Sequence, residues 1–264
     1  HMTLEENVAF GLHSLPRKEA RRRVSEQIAR VQLGGMEKRR PRQLSGGQQQ
    51  RAALARALAA EPDVILLDEP LSALDVHLRS QMEALLVETL ASFRGPSLYV
   101  THNLEEAYRI AEEIVVISSG QEIAMGPKDA IFRHPPNYAT AQVTGCKNFS
   151  RARILSAGRV AALDWGCDLL LPEISRQSFE YVGFRAHHIS VSGAASETNS
   201  FPCKPVRAIE GPFRMTLYLQ LLLAEAPPAS HHLQAEVTRE SWDNLRKCES
   251  PWYAVLAPEK LMVF

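Results

Sequence analysis

Residues 64–70 read VILLDEP, an apolar run that ends in two acidic residues and a proline. A short run rich in branched side chains predicts a strand buried on both faces of a parallel sheet. Asp68 and Glu69 then stand at its carboxyl end, where open α/β sheets bind ligands. One carboxylate at such an edge can hold Mg²⁺, often through water, while the next acts as general base. A solvated strand end explains the pair equally well.

The same pattern repeats downstream. SLYVTH (97–102) predicts a second buried strand, NLEEAYRIAEE (103–113) a helix capped by Asn103, and IVVIS (114–118) a third strand. Strands alternating with helices predict an α/β layer architecture. His102 ends the second strand, so we expect it at the same sheet edge as the two acids, where an imidazole can hydrogen-bond a phosphate or the attacking water. A purely structural histidine is the alternative.

Upstream, residues 44–51 read LSGGQQQR. Gly46 and Gly47 would let the backbone approach a phosphate, and a helix starting at Gln48 would point its free N–H groups at it. Ser45 adds a hydroxyl donor. An ordinary Gly-Gly turn before a helix is the alternative. Before this stretch, Val24, Ile28 and Val31 recur at helical spacing among arginines and predict an amphipathic helix.

The pattern changes after a hairpin at residues 118–126 and a short helix near residues 127–132. From about residue 148, short apolar or alternating runs predict a small all-β domain, interrupted by one helix at RESWDNL (239–245). The length of 264 residues suits two domains. The net charge is zero, and no apolar run is long enough to cross a bilayer. The four cysteines lack metal or disulfide spacing, which favours reduced thiols in a cytoplasm.

Four segments occur in order at short spacing: LSGGQQQR, VILLDEP, SALD and VTH. Together they resemble the ATPase subunit of ABC transporters. The resemblance identifies Leu44–Gln48 as the signature segment, Val64–Glu69 as the Walker B strand, Ser72–Asp75 as the D-loop and His102 as the switch histidine. It implies catalytic roles for Glu69 and His102, and Mg²⁺ held by Asp68 through water. The residues it assigns to ATP are Leu44, Ser45, Gly46, Gly47, Gln48, Asp68 and Asp75.

The resemblance also implies a domain organisation. Residues 1–143 would form the later part of a P-loop ATPase domain, with a helical subdomain at residues 2–42 that couples to membrane subunits. Residues 144–264 would form a regulatory β domain of the oligonucleotide/oligosaccharide-binding type, similar to TOBE and MOP domains. A P-loop needs G-x-x-x-x-G-K-[ST]. No glycine here is followed by lysine, so we expect an N-terminally incomplete sequence that is inactive by itself.

ABC ATPases work as head-to-tail dimers in which one subunit's signature completes the partner's nucleotide site. The expected partners are therefore a second ATPase subunit, two membrane permease subunits and, indirectly, a substrate-binding protein. The expected location is peripheral, on the cytoplasmic face of the membrane. The segments TGCKNFSRARI (144–154) and RAHH (185–188) resemble the sulfate/molybdate branch most, with iron, polyamine and sugar importers as alternatives. The candidate anion contacts are Lys147, Arg151, Arg185 and His188, for which solvated surface charge is the alternative.

Two other functions remain open. Between Arg17 and Arg56, twelve Lys/Arg stand against three acids, a balance of +9 that can bind a phosphate backbone. Because these arginines fall on amphipathic helices, where solvated faces are usual, we expect no nucleic-acid partner. A non-catalytic protein that kept the scaffold is the second alternative. The four residues Asp68, Glu69, Asp75 and His102 argue against it, since such a protein has no chemical need of them all.

Overall fold

The computed structural model of the protein describes residues 1–172, 178–196, 198–223, 225, 227 and 229–264. The chain divides into two compact units, His1–Glu112 and Glu113–Phe264. The boundary expected after residue 143 lies inside the second unit, so the assignment of residues 113–143 to an ATPase domain stays a prediction. Within the described residues, the structure contains no helix long and apolar enough to cross a membrane.

The first unit combines a helical part with a short parallel sheet. Its helices are α1 (Leu4–Ala9), α2 (Arg17–Arg30), α3 (Gly46–Ala59), α4 (Val76–Ser92) and α5 (Leu104–Ile110), its strands are β1 (Ile65–Asp68) and β2 (Ser97–Val100), and a 3₁₀ turn covers Pro41–Gln43. The amphipathic helix is confirmed, because Val24, Ile28 and Val31 are buried in the core that α1, α2 and α3 share with β1. Arg51 of α3 is also buried, and its guanidinium donates to the Val31 carbonyl at 3.2 Å.

Strands β1 and β2 pair in parallel, with Asp68 opposite Val100. Burial on both faces, which the apolar runs predict, is wrong for these strands. Ile65 and Leu67 are buried, whereas Leu66 is 72% exposed and Leu98 56% exposed. Parallel strands bury both faces only when a layer covers each face. Here the hydrophobic core of the unit covers one face of a two-stranded sheet.

The second unit consists mainly of strands. Its elements are β3 (Glu113–Ser118), β4 (Gln121–Pro127), α6 (Lys128–Arg133), α7 (Tyr138–Val143), β5 (Asn148–Ser156), β6 (Arg159–Ala162), β7 (Cys167–Leu170), β8 (Tyr181–Phe184), β9 (Ser190–Ser192), β10 (Ser200–Glu210), β11 (Arg214–Leu221), β12 (Leu233–Thr238), α8 (Arg239–Leu245), β13 (Trp252–Val255) and β14 (Met262–Val263), with 3₁₀ turns at Ala186–His188 and Pro258–Lys260. The predicted third strand is β3, but it pairs antiparallel with β4 and does not extend the parallel sheet. The predicted hairpin, the helix near residues 127–132 and the helix at residues 239–245 are confirmed, whereas α7 was not predicted.

Most of these strands form two five-stranded sheets, ordered β12-β11-β10-β13-β9 and β14-β8-β5-β6-β7. Side chains of both sheets bury one common core. Asn148 joins the two sheets, since its amide donates to the carbonyls of Phe184 (3.0 Å) and Gln234 (2.9 Å) and accepts from Gln234 N–H (2.6 Å). The buried amide thereby satisfies backbone groups of β8 and β12 together. The predicted all-β region is confirmed.

Candidate functional site

The carboxyl ends of β1 and β2 bring Glu69 and His102 together, as the sequence predicts. The backbone N–H of Glu69 donates to the Val100 carbonyl at 2.9 Å, so the chain leaves β1 beside the end of β2. Nδ1 of His102 lies 2.6 Å from Oε1 of Glu69, and the backbone N–H of His102 donates to the same oxygen at 2.9 Å. An ionised carboxylate carries no proton, so Nδ1–H is the donor in this pair. The other ring nitrogen, Nε2, is left for a further partner.

The two side chains differ in exposure. The His102 side chain is 84% exposed, whereas that of Glu69 is 32% exposed. An exposed imidazole does not hold one orientation by packing. Its hydrogen bond to Glu69, together with the backbone on either side of it, therefore sets its position.

Glu69 itself has a left-handed backbone, with φ of 46°. This conformation costs a non-glycine residue about 1–2 kcal/mol. The Glu69 carbonyl accepts hydrogen bonds from the backbone N–H (3.2 Å) and the hydroxyl (2.9 Å) of Ser72. These bonds, with the one to Val100, hold the strained residue in place. Such strain on a polar residue at a strand end is typical of functional sites.

The two aspartates differ in their partners. Among the described residues, the exposed Asp68 carboxylate has no hydrogen-bonding or ion-pairing side chain, so its oxygens are free for a ligand. Asp75 is the N-cap of α4, and its Oδ1 accepts from the Leu78 N–H at 3.0 Å. Magnesium is commonly held by one or two carboxylates plus phosphate oxygens and water. The free Asp68 fits that requirement. The nucleotide contact expected of Asp75 stays a prediction.

The signature segment caps the N-terminus of α3. The helix begins at Gly46, so the predicted start at Gln48 is wrong by two residues. Ser45 Oγ accepts from Gln48 N–H at 3.3 Å, and Gln48 Oε1 accepts from Ser45 N–H at 3.0 Å. This reciprocal capping needs only the lone pairs of the serine oxygen, so its hydroxyl proton remains able to donate. The phosphate contact expected of the first turn of α3 stays a prediction.

The two glycines of the signature segment face different surroundings. A Cβ on Gly46 would meet no atom within 4 Å, whereas a Cβ on Gly47 would lie 2.6 Å from Cδ2 of Leu74. Gly46 is exposed, and Gly47 and the preceding Leu44 are buried. The prediction that both glycines open the backbone to a ligand therefore fits Gly46 alone. The absence of a Cβ at Gly47 allows α3 to pack closely against Leu74 of the D-loop.

Sequence reasoning missed the buried Glu106, which is 5% exposed. Its carboxylate accepts hydrogen bonds from the Tyr99 hydroxyl and Thr101 Oγ1, both at 3.0 Å, and from Asn103 Nδ2 at 3.2 Å. Burial, with the Glu106 charge next, raises the pKa of Tyr99 well above its usual value. The Asn-x-x-Glu spacing after the strand was the available signal, since it is the spacing of an N-cap and its third helical residue. The predicted Asn103 cap is confirmed by its bonds from the N–H groups of Glu105 and Glu106.

The candidate anion contacts of the second unit differ in their surroundings. Solvated surface charge is wrong for Arg185, whose buried guanidinium donates to the carbonyls of Thr144 (2.7 Å) and Phe132. Burial lowers the pKa of Arg185. Arg151 pairs with Asp164 at 2.7 Å, and Lys147 is exposed.

His188, the fourth candidate anion contact, is partly buried. Its ring lies edge-on to those of Phe184 and His187. Burial, followed by the charges of His187, Lys260 and Arg185, lowers the pKa of His188 to about 4. The ring is therefore neutral at pH 7 and offers an anion no charge there.

Comparisons with known proteins agree with this architecture. The ABC transporter family model matches residues 1–72. The sulfate/thiosulfate import ATP-binding protein CysA of Bacillus cereus is 34% identical over an alignment that covers 100% of this chain and 74% of the relative. The spermidine/putrescine import ATP-binding protein PotA 1 of Pseudomonas aeruginosa is 46% identical over 62% of this chain and 46% of the relative. The Fe(3+) ions import ATP-binding protein FbpC of Photorhabdus laumondii is 42% identical over 58% of this chain and 44% of the relative.

The fold and these similarities define the class, an ABC-type ATPase domain of mixed α/β structure followed by a β domain. The chain belongs to the ABC transporter family, with the ATP-binding proteins of importers. It spans about half the length of most of the curated relatives it matches.

Proposed function

We propose that the chain forms part of the ATP-hydrolysing subunit of an ABC importer. The observation that carries the proposal is the contact between Glu69 and His102 at the end of β1. Glu69 acts as the general base that accepts a proton from the water attacking the γ-phosphate. The backbone N–H and the ring Nδ1–H of His102 both donate to Oε1 of Glu69, so Oε2 remains available to accept the proton. Nε2 of His102 then faces the phosphate or the water as hydrogen-bonding partner.

Asp68 would hold Mg²⁺ through water, and the ion would offset the negative charge that develops on the phosphates. Ser45 and Gly46 would bind a phosphate of ATP held by the P-loop of a second ATPase subunit, in a head-to-tail dimer. The first turn of α3 supports this role, because its N–H groups and helix dipole favour an anion. The chain has no Gly-Lys pair, so hydrolysis requires a P-loop supplied by another polypeptide segment.

The transported solute is proposed to be an oxyanion, sulfate or molybdate. One relative that aligns with the whole chain is named for sulfate and thiosulfate. Iron and polyamines are the alternatives, since relatives named for them match about three fifths of the chain. The β domain would be the regulatory, TOBE-like domain. Two membrane permease subunits, a substrate-binding protein and a location on the cytoplasmic face of the membrane belong to the same proposal.

We attribute the basic balance of α2 to the solvated face of an amphipathic helix and not to a nucleic-acid site, because most of its arginines are exposed. Two of the arginines on α2 are neutralised, since Arg22 pairs with Glu19 (2.7 Å) and Glu26 (2.6 Å) and Arg23 pairs with Glu19 (3.0 Å). Salt-sensitive binding of DNA by the chain would contradict this part of the proposal.

Trans-complementation tests the hydrolytic role. The 264-residue chain is mixed with a separate polypeptide that carries a P-loop segment of an ABC ATPase, and phosphate release from Mg-ATP is measured. We expect no turnover from the chain alone, turnover from the mixture, and a loss of at least about 100-fold with Glu69→Gln. Glu105→Gln is the matched control, because Glu105 is exposed and pairs with Arg109. A mixture that hydrolyses ATP equally well with Glu69→Gln would remove Glu69 from the role of base.

The oxyanion is tested by calorimetry on the whole chain with sulfate, molybdate and tungstate. Binding of one of them in the micromolar range, weakened by Lys147→Ala, would support regulation by the transported solute. No heat with any of the three would count against the β domain as an oxyanion sensor. That result would leave the ATPase proposal standing, because it depends on different residues.

A further inference from the structure

Glu106 is a buried carboxylate in the first turn of α5, and its bonds go to the residues around His102. The side chain is 6% exposed. Tyr99 donates to it from the end of β2, Thr101 from the residue before His102, and Asn103 from the residue after it. A buried carboxylate is costly unless such donors satisfy it. The cost would be hard to explain if the carboxylate served only to cap a seven-residue helix.

Hydrogen bonds among Thr101, Asn103 and Glu106 form a closed network next to His102. Thr101 Oγ1 donates to Glu106 and accepts from the Asn103 N–H at 3.0 Å, while Asn103 Nδ2 donates to the other oxygen of Glu106. His102, 84% exposed, lies between these two anchored residues. The backbone N–H and the ring Nδ1 of His102 can both reach the same oxygen of Glu69 as long as the His102 backbone keeps this conformation. Glu106 therefore acts on His102 through Thr101 and Asn103.

The same carboxylate also lies near the segment that follows Glu69. Nε of Arg79, on α4, lies 3.9 Å from Oε1 of Glu106, which is beyond hydrogen-bonding distance, and this nitrogen makes no hydrogen bond among the described residues. Another nitrogen of the Arg79 guanidinium donates to the Leu74 carbonyl in the D-loop at 3.4 Å. Glu106 is thus placed between the turn that carries His102 and the turn that carries Ser72, whose bonds hold Glu69.

We propose that Glu106 is the positioning residue of this site, which holds His102 on Glu69 through Thr101 and Asn103. The catalytic meaning of this arrangement rests on the proposed function, whereas the positioning is a property of the chain itself. A carboxylate is needed at this position because both of its oxygens accept hydrogen bonds. Glutamine has the same shape but would turn an NH₂ group toward one of those donors.

Nuclear magnetic resonance of the 264-residue chain tests the positioning without ATP. The readouts are the ring ¹⁵N signals of His102, which report the nitrogen that carries the proton, and hydrogen exchange of the His102 backbone amide. In the wild type we expect the proton on Nδ1. In Glu106→Gln we expect the proton to redistribute between the two ring nitrogens and the amide to exchange about tenfold faster or more. Glu105→Gln, on the same helix and 77% exposed, should change neither.

Thr101 supplies a second, milder pair of variants. Thr101→Ser keeps the hydroxyl and should preserve the wild-type His102 signals, whereas Thr101→Val removes it and should reproduce the Glu106→Gln result. This pair decides the question if Glu106→Gln does not fold. If Glu106→Gln gave the same His102 signals as the wild type, the proposal would be overturned. If only Thr101→Val folds, wild-type His102 signals in that variant would overturn it. Failed ATP hydrolysis in the complementation assay with normal His102 signals would count against the proposed function and leave the positioning intact.

Discussion

Gly47, in the first turn of α3, packs directly against Leu74 of the D-loop. A Cβ at Gly47 would lie 2.6 Å from Leu74 Cδ2, and Leu74 is itself 6% exposed. A methyl at this position therefore requires the buried Leu74 side chain, or one of the two segments, to shift. The contact makes the signature segment and the D-loop parts of one packed structure. The second signature glycine thus has a packing function that its sequence motif does not reveal.

Gly47→Ala should destabilise the first unit by about 1–3 kcal/mol, because the added methyl overpacks the contact with Leu74. Gly46→Ala is the matched control, since its methyl meets no atom within 4 Å. Urea denaturation of both variants, followed by far-UV circular dichroism, measures the difference in free energy of unfolding. Equal stabilities for the two variants would contradict the packing role of Gly47.

Glu69→Gly should be more stable than Glu69→Ala by about 1 kcal/mol. Both changes remove the carboxylate, but glycine tolerates the φ of 46° that strains every other residue. The comparison isolates backbone strain from the loss of the His102 hydrogen bond, because that loss is common to both variants. Thermal denaturation of the pair measures the difference. An alanine variant as stable as the glycine variant would show that the strain is relieved in another way.

Asn148→Ala should cost the second unit about 2–4 kcal/mol, because it leaves the carbonyl of Phe184 and both backbone groups of Gln234 without their partner. Asn148 is 3% exposed, so water does not replace these bonds. The neighbouring Lys147→Ala, at an exposed position, should cost less than about 0.5 kcal/mol. Chemical denaturation followed by fluorescence of the buried Trp165 and Trp252 reports on this unit. A loss no larger than that of Lys147→Ala would exclude Asn148 as the link between the sheets.

The second unit should lose stability as the pH falls from about 6.5 to about 4, because of His188. Burial, then the charges of His187, Lys260 and Arg185, lowers the pKa of His188 from 6.5 to about 4. Between pH 6.5 and pH 4 the unfolded chain binds a proton that the native His188 ring does not. The contribution of His188 to the stability of the native state is therefore complete above pH 6.5 and is lost as the pH falls. Solvent screening of a partly exposed ring reduces the effect to about 1–2 kcal/mol.

Urea denaturation at pH 7 and pH 4.5 measures this loss. His188→Gln should reduce the dependence and leave the part due to His187, whose pKa burial also lowers. His231→Gln, at an exposed position of the same unit, should keep the full dependence. Asp164, whose pKa is lowered from 3.8 by Arg151, contributes below this window. An unchanged pH dependence in His188→Gln would assign the effect to other groups.

The elements that sequence predicts well are those with strong local signals. The apolar run before Asp68, the spacing of Val24, Ile28 and Val31, and the Asn103 cap each depend on neighbours within one or two turns, and each is found in the structure. The contact between Glu69 and His102 was also predictable. Two parallel strands that end at one edge leave few places for the residues that follow them.

The errors arose where distant residues decide the outcome. Leu66 and Leu98 are as apolar as any core residue, yet they are exposed, because burial depends on a layer that the strand does not encode. Arg185 resembled surface charge, but carbonyls from two other segments accept its hydrogen bonds. Glu106 resembled one more acid on an amphipathic helix until the donors from β2 and the following turn surrounded it.

The sequence by itself therefore determined the family and the order of the motifs, and it supplied the proposed site residues, because these depend on residue type and spacing along the chain. Only the tertiary structure decided that Gly46 is open while Gly47 is packed, that Glu69 is strained, and that Glu106 holds the turn around His102. The reason is physical. Steric contacts, backbone strain and the hydrogen bonds of a buried carboxylate depend on which atoms are close in space. Distance and orientation in space do not follow from the order of residues along the chain.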